Sequence, residues 1–169
     1  MLLHEFTLAE PGAFNASLYA RFMQLSRTDR VKRTHYFAGR FENIYMDEAD
    51  ISGISTLLSV VRQQAGQLLG ITADSLKAGF WFNAMETGHL TALHHHDEND
   101  ELLSAVYYIH VPENSGDLIL HDEDRLIRIQ PQAGKLVLFA PGVPHEVTVN
   151  QSPDLRLSVG MNIGPAVEQ

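Results

Sequence analysis

Leu93-His94-His95-His96-Asp97-Glu98-Asn99-Asp100-Glu101 runs directly into Leu102-Leu103-Ser104-Ala105-Val106-Tyr107-Tyr108-Ile109. Three consecutive histidines and four acids precede an apolar, aromatic and β-branched run, the composition of a strand on a half-buried pleated surface. A solvated His/Asp loop or a purification tag would share the first of these features. A tag sits at a terminus, whereas this cluster is internal and abuts a strand. Side chains on a strand alternate faces, so His94 and His96 share one face and His95 and Asp97 the other. Either pair presents two ligand groups to one point, and imidazole with carboxylate suits divalent iron, zinc, copper or nickel. The stretch reads as half of a metal site on a β-rich fold.

Strand texture continues on both sides. Segments 80–83, 90–96, 104–110, 116–121, 126–130, 135–139, 145–150 and 155–162 alternate or run apolar. Turn signals punctuate them at Thr87-Gly88, Pro112 to Gly116, Pro131, Gly134, Pro141-Gly142 and Ser152-Pro153. Upstream, residues 2–8 read as a short edge strand ended by Pro11-Gly12. Phe14, Leu18, Phe22 and Leu25 recur at helical spacing and predict a helix to about Arg27. Ile54, Leu57, Leu58, Val61, Ala65, Leu68 and Leu69 predict a second helix, with Asp50 or Ser52 as its cap and Gly70 as its stop. Between the helices, 36–41 reads as loop or irregular strand. About eight strands after two helices predict a mainly β fold, a sandwich or jelly roll with the two N-terminal helices packed on one sheet. The chain is expected to be a single domain over 1–169, with 1–76 mainly helical support and 77–164 the jelly-roll core.

The 169 residues, 44% of them hydrophobic and 20% charged, suffice for a sizeable core. Cysteine is absent, which removes disulfides, Cys-zinc sites and thiol nucleophiles. The N-terminus lacks the pattern of a signal peptide, and no apolar run approaches the roughly 20 residues that span a bilayer. A cytoplasmic protein without membrane partners is the expectation. A net charge of −9 argues against general nucleic-acid binding. Five of the twelve basic residues, Arg27, Arg30, Lys32, Arg33 and Arg40, fall in one early segment, a solvated surface or, on a sharper reading, a flap for an anionic substrate.

His145 stands just past the Pro141-Gly142 turn at the start of a strand, about fifty residues beyond the histidine run, where a jelly roll would bring a third ligand. Eleven residues later Arg156-Leu157-Ser158 interrupts an apolar strand. Arg156 and Ser158 share a face, and a buried arginine needs an anionic partner. A guanidinium beside a hydroxyl suits a carboxylate, and an internal salt bridge would serve equally.

At these residues the chain resembles the iron(II)/2-oxoglutarate-dependent oxygenases, especially small members with His-x-His, Ser-x-Val-Tyr-Tyr, a distal His and Arg-x-Ser. The matching residues are His94-His95-His96, Ser104-Ala105-Val106-Tyr107-Tyr108, His145 and Arg156-Leu157-Ser158, with Gly116-Asp117-Leu118 and Gly134 to Phe139 between them. The resemblance covers roughly residues 80–164. It implies a double-stranded β-helix with Fe(II) at its open mouth and 2-oxoglutarate and O₂ as cosubstrates. Hydroxylation of a small molecule or side chain, with release of succinate and CO₂, would be the default outcome. By position, His145 is the distal ligand, Arg156 and Ser158 hold the far carboxylate of 2-oxoglutarate, and Tyr108 donates to it. Asn83 and Asn162 are further polar candidates. The superfamily usually has His-x-Asp as its first two ligands. Here the distance from Gly88 favours His94 and His96, while the distance back from Ser104 allows His95 and Asp97. A rival resemblance, to the cupins, would make His94, His96, Glu101 and His145 the ligands of a 2-oxoglutarate-independent dioxygenase, an isomerase or a sensor. It leaves Arg156 and Ser158 unexplained. The exposed sheet edge of a small jelly roll is also compatible with a homodimer.

Overall fold

The computed structural model describes residues 2–96 and 100–166. In chain order, the strands and α-helices are β1 (Leu3–Thr7), α1 (Gly12–Leu25), β2 (Lys32–Phe37), β3 (Arg40–Tyr45), α2 (Ile54–Leu69), β4 (Leu76–Met85), β5 (Thr91–His94), β6 (Leu103–His110), β7 (Leu118–Asp122), β8 (Arg125–Ile129), β9 (Lys135–Phe139), β10 (His145–Val147) and β11 (Arg156–Pro165). All pairings are antiparallel. One sheet has the order β1-β9-β6-β11-β4-β3-β2 and the other the order β5-β10-β7-β8. This is the double-stranded β-helix expected, with both helices on one face of the larger sheet.

Alternation along the strands sorts the core into two compartments. Phe82 of β4, Tyr107 of β6, Leu136 and Leu138 of β9, and Leu157 and Val159 of β11 face the helices. There they meet Leu18 and Phe22 of α1 and Leu57, Leu58 and Val61 of α2. Their neighbours Met85, Tyr108, Val137 and Phe139 face the smaller sheet, against Leu118, Leu120 and Val147. The same alternation turns Arg156 and Ser158 into the space between the sheets. Asn15 is the buried polar residue of α1, and its Oδ1 accepts the Tyr107 hydroxyl at 2.6 Å, tying helix to sheet.

Three local expectations change. Segment 36–41 is a hairpin joining β2 to β3, because Ala38 and Gly39 both take positive φ (50° and 83°), the backbone a tight hairpin turn demands. α2 starts after Gly53 without a side-chain cap, so neither Asp50 nor Ser52 plays that part. β5 ends at His94, two residues before the end of the predicted strand, so His95 and His96 lie beyond it.

Candidate metal and cosubstrate site

His94 and His145 stand directly opposite each other on paired strands β5 and β10. His96 is brought alongside by a backbone bond, its N–H donating to the Pro141 carbonyl at 2.8 Å. The ring centroids lie 4.2 Å apart for His94–His145, 4.8 Å for His94–His96 and 5.3 Å for His96–His145. One nitrogen from each ring lies within 4.8 Å of the others. Backbone carbonyls set the tautomers: Nδ1–H of His94 donates to Ala92 O at 2.7 Å, and Nδ1–H of His145 donates to Val143 O at 3.0 Å. Each Nε2 is left with a lone pair, the form a metal needs. Burial, reinforced by neighbouring His94, pushes His145 down to about 3 and His96 down to about 4, so both are neutral well below pH 7. Asp97 of the alternative register lies outside the described residues. Glu101 lines a neighbouring recess and is not in the converging group, which among the described residues is the three imidazoles.

Behind the imidazoles, between the sheets, is a recess of about 540 Å³, solvent at its mouth included. Arg156 forms its base. The residue is 1% exposed, its Nε and one terminal nitrogen have no hydrogen-bond partner, and its guanidinium carbon sits 5.3 Å from the centre of the Tyr108 ring. The buried Tyr108 hydroxyl also lacks a partner. Burial pushes this phenol up to about 12, with Arg156 pulling the other way, so it stays a proton donor. Ser158, the partner of Asn83 and Tyr108 in the sheet register, lines the same recess. A buried guanidinium and phenol, each with unspent donors, demand an anionic acceptor, and a carboxylate meets that demand. No carboxylate pairs with Arg156 among the described residues.

The two asparagines part company. Asn83 lines the inner recess, but its Oδ1 accepts from Arg40 at 2.9 Å and its Nδ2 donates to Thr91 at 2.9 Å. Asn162 lines the outer recess instead. It lies six residues up β11 from Arg156, on the order of 20 Å away at the rise of a strand.

Arg40 was grouped with the basic surface segment, yet it is 7% exposed. Its guanidinium also donates to the Leu90 and Ala84 carbonyls and to Thr91 Oγ1, clamping β3 to β4 and β5. Arg30 pairs with Asp50 at the surface, and Arg33 donates to the Ser26 carbonyl. None of Arg27, Arg30, Lys32 and Arg33 lines either recess, so the flap for an anionic substrate is not formed by them. Glu42, Trp81 and Gly160 are site residues that sequence reasoning missed. A Cβ on Gly160 would stand 2.5 Å from Trp81 Cε2 and Nε1, so the indole lies across bare backbone.

The profile of the 2OG-Fe(II) oxygenase superfamily matches residues 80–164. Among solved structures, a Pseudomonas putida prolyl-4-hydroxylase aligns with TM-score 0.77 at 20% identity, over 96% of this chain and 92% of that one. A Trichoplax adhaerens prolyl hydroxylase, solved with a hypoxia inducible factor peptide fragment, aligns with TM-score 0.73 at 16% identity, over 96% and 83%. The epimerase SnoN, solved with Fe3+, alpha ketoglutarate and nogalamycin RO, aligns with TM-score 0.75 at 16% identity, over 98% and 79%. No curated protein matches the sequence. The chain belongs to the 2OG-Fe(II) oxygenase superfamily. It is a non-haem iron oxygenase that takes 2-oxoglutarate as cosubstrate, and the residues around both recesses have the chemistry for these partners. Among its described residues, no helix is long and apolar enough to cross a membrane.

Proposed function

We propose that the protein hydroxylates an unactivated C–H bond, with His94, His96 and His145 holding Fe(II) and Arg156, Ser158 and Tyr108 holding the far carboxylate of 2-oxoglutarate. The supporting observation is Arg156, a buried guanidinium with unspent donors at the base of a recess walled by three converging imidazoles. Bound iron supplies the activation of O₂, one oxygen atom passing to the substrate and the other to succinate as CO₂ leaves.

The protein's own contribution is positional. Carbonyls of Ala92 and Val143 hold two imidazoles in the tautomer that ligates. Arg156 and the Tyr108 hydroxyl orient the keto acid by charge-assisted bonds in a site poor in water, where such bonds are strong. Leu118, Phe139 and Val147 form apolar wall that keeps solvent from the reacting atoms. Incubation with 2-oxoglutarate in air should yield succinate slowly even without substrate, and only with iron present. Succinate formed equally under argon, or with iron removed by a chelator, would contradict the proposal.

A further inference from the structure

In front of the imidazoles lies a second, wider recess of about 910 Å³, open solvent included. His94 and His96 line both recesses, as do Glu42 and Trp81. The walls of the outer recess carry the acids Glu42 and Glu101, the rings of Phe37, Tyr45 and Trp81 and the imidazoles of His35 and His95, and among the described residues no lysine or arginine. Glu42 is 5% exposed, and its Oε2 accepts the Ala92 amide at 2.8 Å, which fixes the carboxylate where the recesses meet. Trp81, laid against Gly160, meets the Tyr45 ring at 51° with centroids 6.4 Å apart, so the two rings form a corner. Asn162 Oδ1, also on this wall, is buried without a hydrogen-bond partner and needs a donor.

These walls discriminate among ligand chemistries. An anion would meet two carboxylates and, among the described residues, no lysine or arginine. An apolar group would leave the Asn162 oxygen without a donor and the second oxygen of Glu42 facing hydrocarbon. A cationic nitrogen with N–H groups satisfies every feature: attraction to the acids, the negative faces of Trp81 and Tyr45, and a donor for Asn162. Building on the oxygenase reading above, we infer that the substrate carries an alkylammonium or guanidinium group. This group seats between Glu42 and the Trp81–Tyr45 corner, and the C–H to be oxidised lies between it and the imidazoles.

Trp81 is the chain's one tryptophan, so with the inner recess already filled by 2-oxoglutarate its emission follows what enters the outer one. The iron-loaded protein with 2-oxoglutarate, under argon, is titrated with Nα-acetyl-lysinamide, Nα-acetyl-argininamide, the neutral Nα-acetyl-norleucinamide and an acidic Nα-acetyl-glutamate amide. One of the cationic probes should bind at least about tenfold more tightly than the neutral one, and the acidic probe should not bind. In Glu42→Gln and Glu101→Gln the preference should shrink several-fold, and reading both covers a variant that fails to fold. Equal or tighter binding of the neutral or acidic probe overturns the inference, as does silence from both cations or an undiminished preference in the folded variants. The visible band of the chelated keto acid is recorded in the same cuvette. With that band present, a missing cation preference sinks the substrate class alone, whereas its absence removes the oxygenase reading itself.

Discussion

The two recesses share His94, His96, Glu42 and Trp81 and differ in the charged residue each adds, Arg156 in the inner one and Glu101 in the outer. On the inner side a guanidinium is buried to 1% exposure with two nitrogens unpartnered. On the outer side two acids and three aromatic rings face solvent-accessible space. Arg40 is buried too, but carbonyls and neutral side chains of the chain take up its donors, whereas the unspent donors of Arg156 suit the inner recess to an anion. The outer recess keeps its carboxylate tied to a backbone amide and open to a visitor. Arg156 on one side and Glu101 on the other would sort a dianionic cosubstrate from its substrate before any chemistry begins.

The comparison is broken most completely by removing one of the three converging imidazoles. His145→Ala should abolish binding of one Fe(II) per chain, and full occupancy by elemental analysis would remove the metal from the account. The register is read the same way: His94→Ala/His96→Ala should lose iron, and His95→Ala/Asp97→Ala should retain most of it. The reverse pattern would make His95 and Asp97 the ligands.

A smaller effect is expected where the recesses meet. Gly160→Ala places a Cβ against the indole, which must move, so the variant should lose about 1–3 kcal/mol by denaturant unfolding and shift Trp81 emission. Unchanged emission and stability would show that the indole is not held against Gly160.

The smallest effect tests whether burial keeps His96 and His145 uncharged. His145 and His96 are held down near 3 and 4, chiefly by burial, whereas unfolded histidine titrates near 6.5. Because the folded values lie below the unfolded one, the stability these neutral rings permit is complete above about pH 6.5. It should be lost as pH falls from there through 4 towards 3. The melting temperature of the metal-free protein should therefore decline across that window, and less steeply in His145→Gln. A variant slope equal to that of the wild type would assign the decline to other groups.

Much of this was legible in the sequence because it depends on local pattern. Strand alternation put Arg156 with Ser158, and helical spacing found the faces of α1 and α2, whereas His96 reaches His94 from beyond β5 through its bond to Pro141. What escaped was which face of a strand is the inner one. In β3, Arg40, Glu42 and Ile44 share a face, and Phe41 lies on the other. Apolar-inside reasoning would bury Phe41, yet Arg40 and Glu42 are buried and Phe41 is 41% exposed against Tyr36. The alternation was visible, but the partners that make burial of Arg40 tolerable are Leu90, Ala84 and Thr91, about fifty residues away. Gly160 was missed for a similar reason: its significance is the indole of Trp81, on the neighbouring strand and 79 residues back.

The central claim is that Arg156 waits for the far carboxylate of 2-oxoglutarate beside an iron held by three imidazoles. Anaerobic titration of the Fe(II)-loaded protein with 2-oxoglutarate, followed through the weak visible charge-transfer band of a chelated keto acid, measures it directly. The wild type should develop the band and saturate. Arg156→Ala should keep its iron and need on the order of 30- to 150-fold more 2-oxoglutarate, corresponding to about 2–3 kcal/mol of charge-assisted bonding. A wild-type protein that binds iron but never develops the band, or a variant with an unchanged titration curve, would contradict the account.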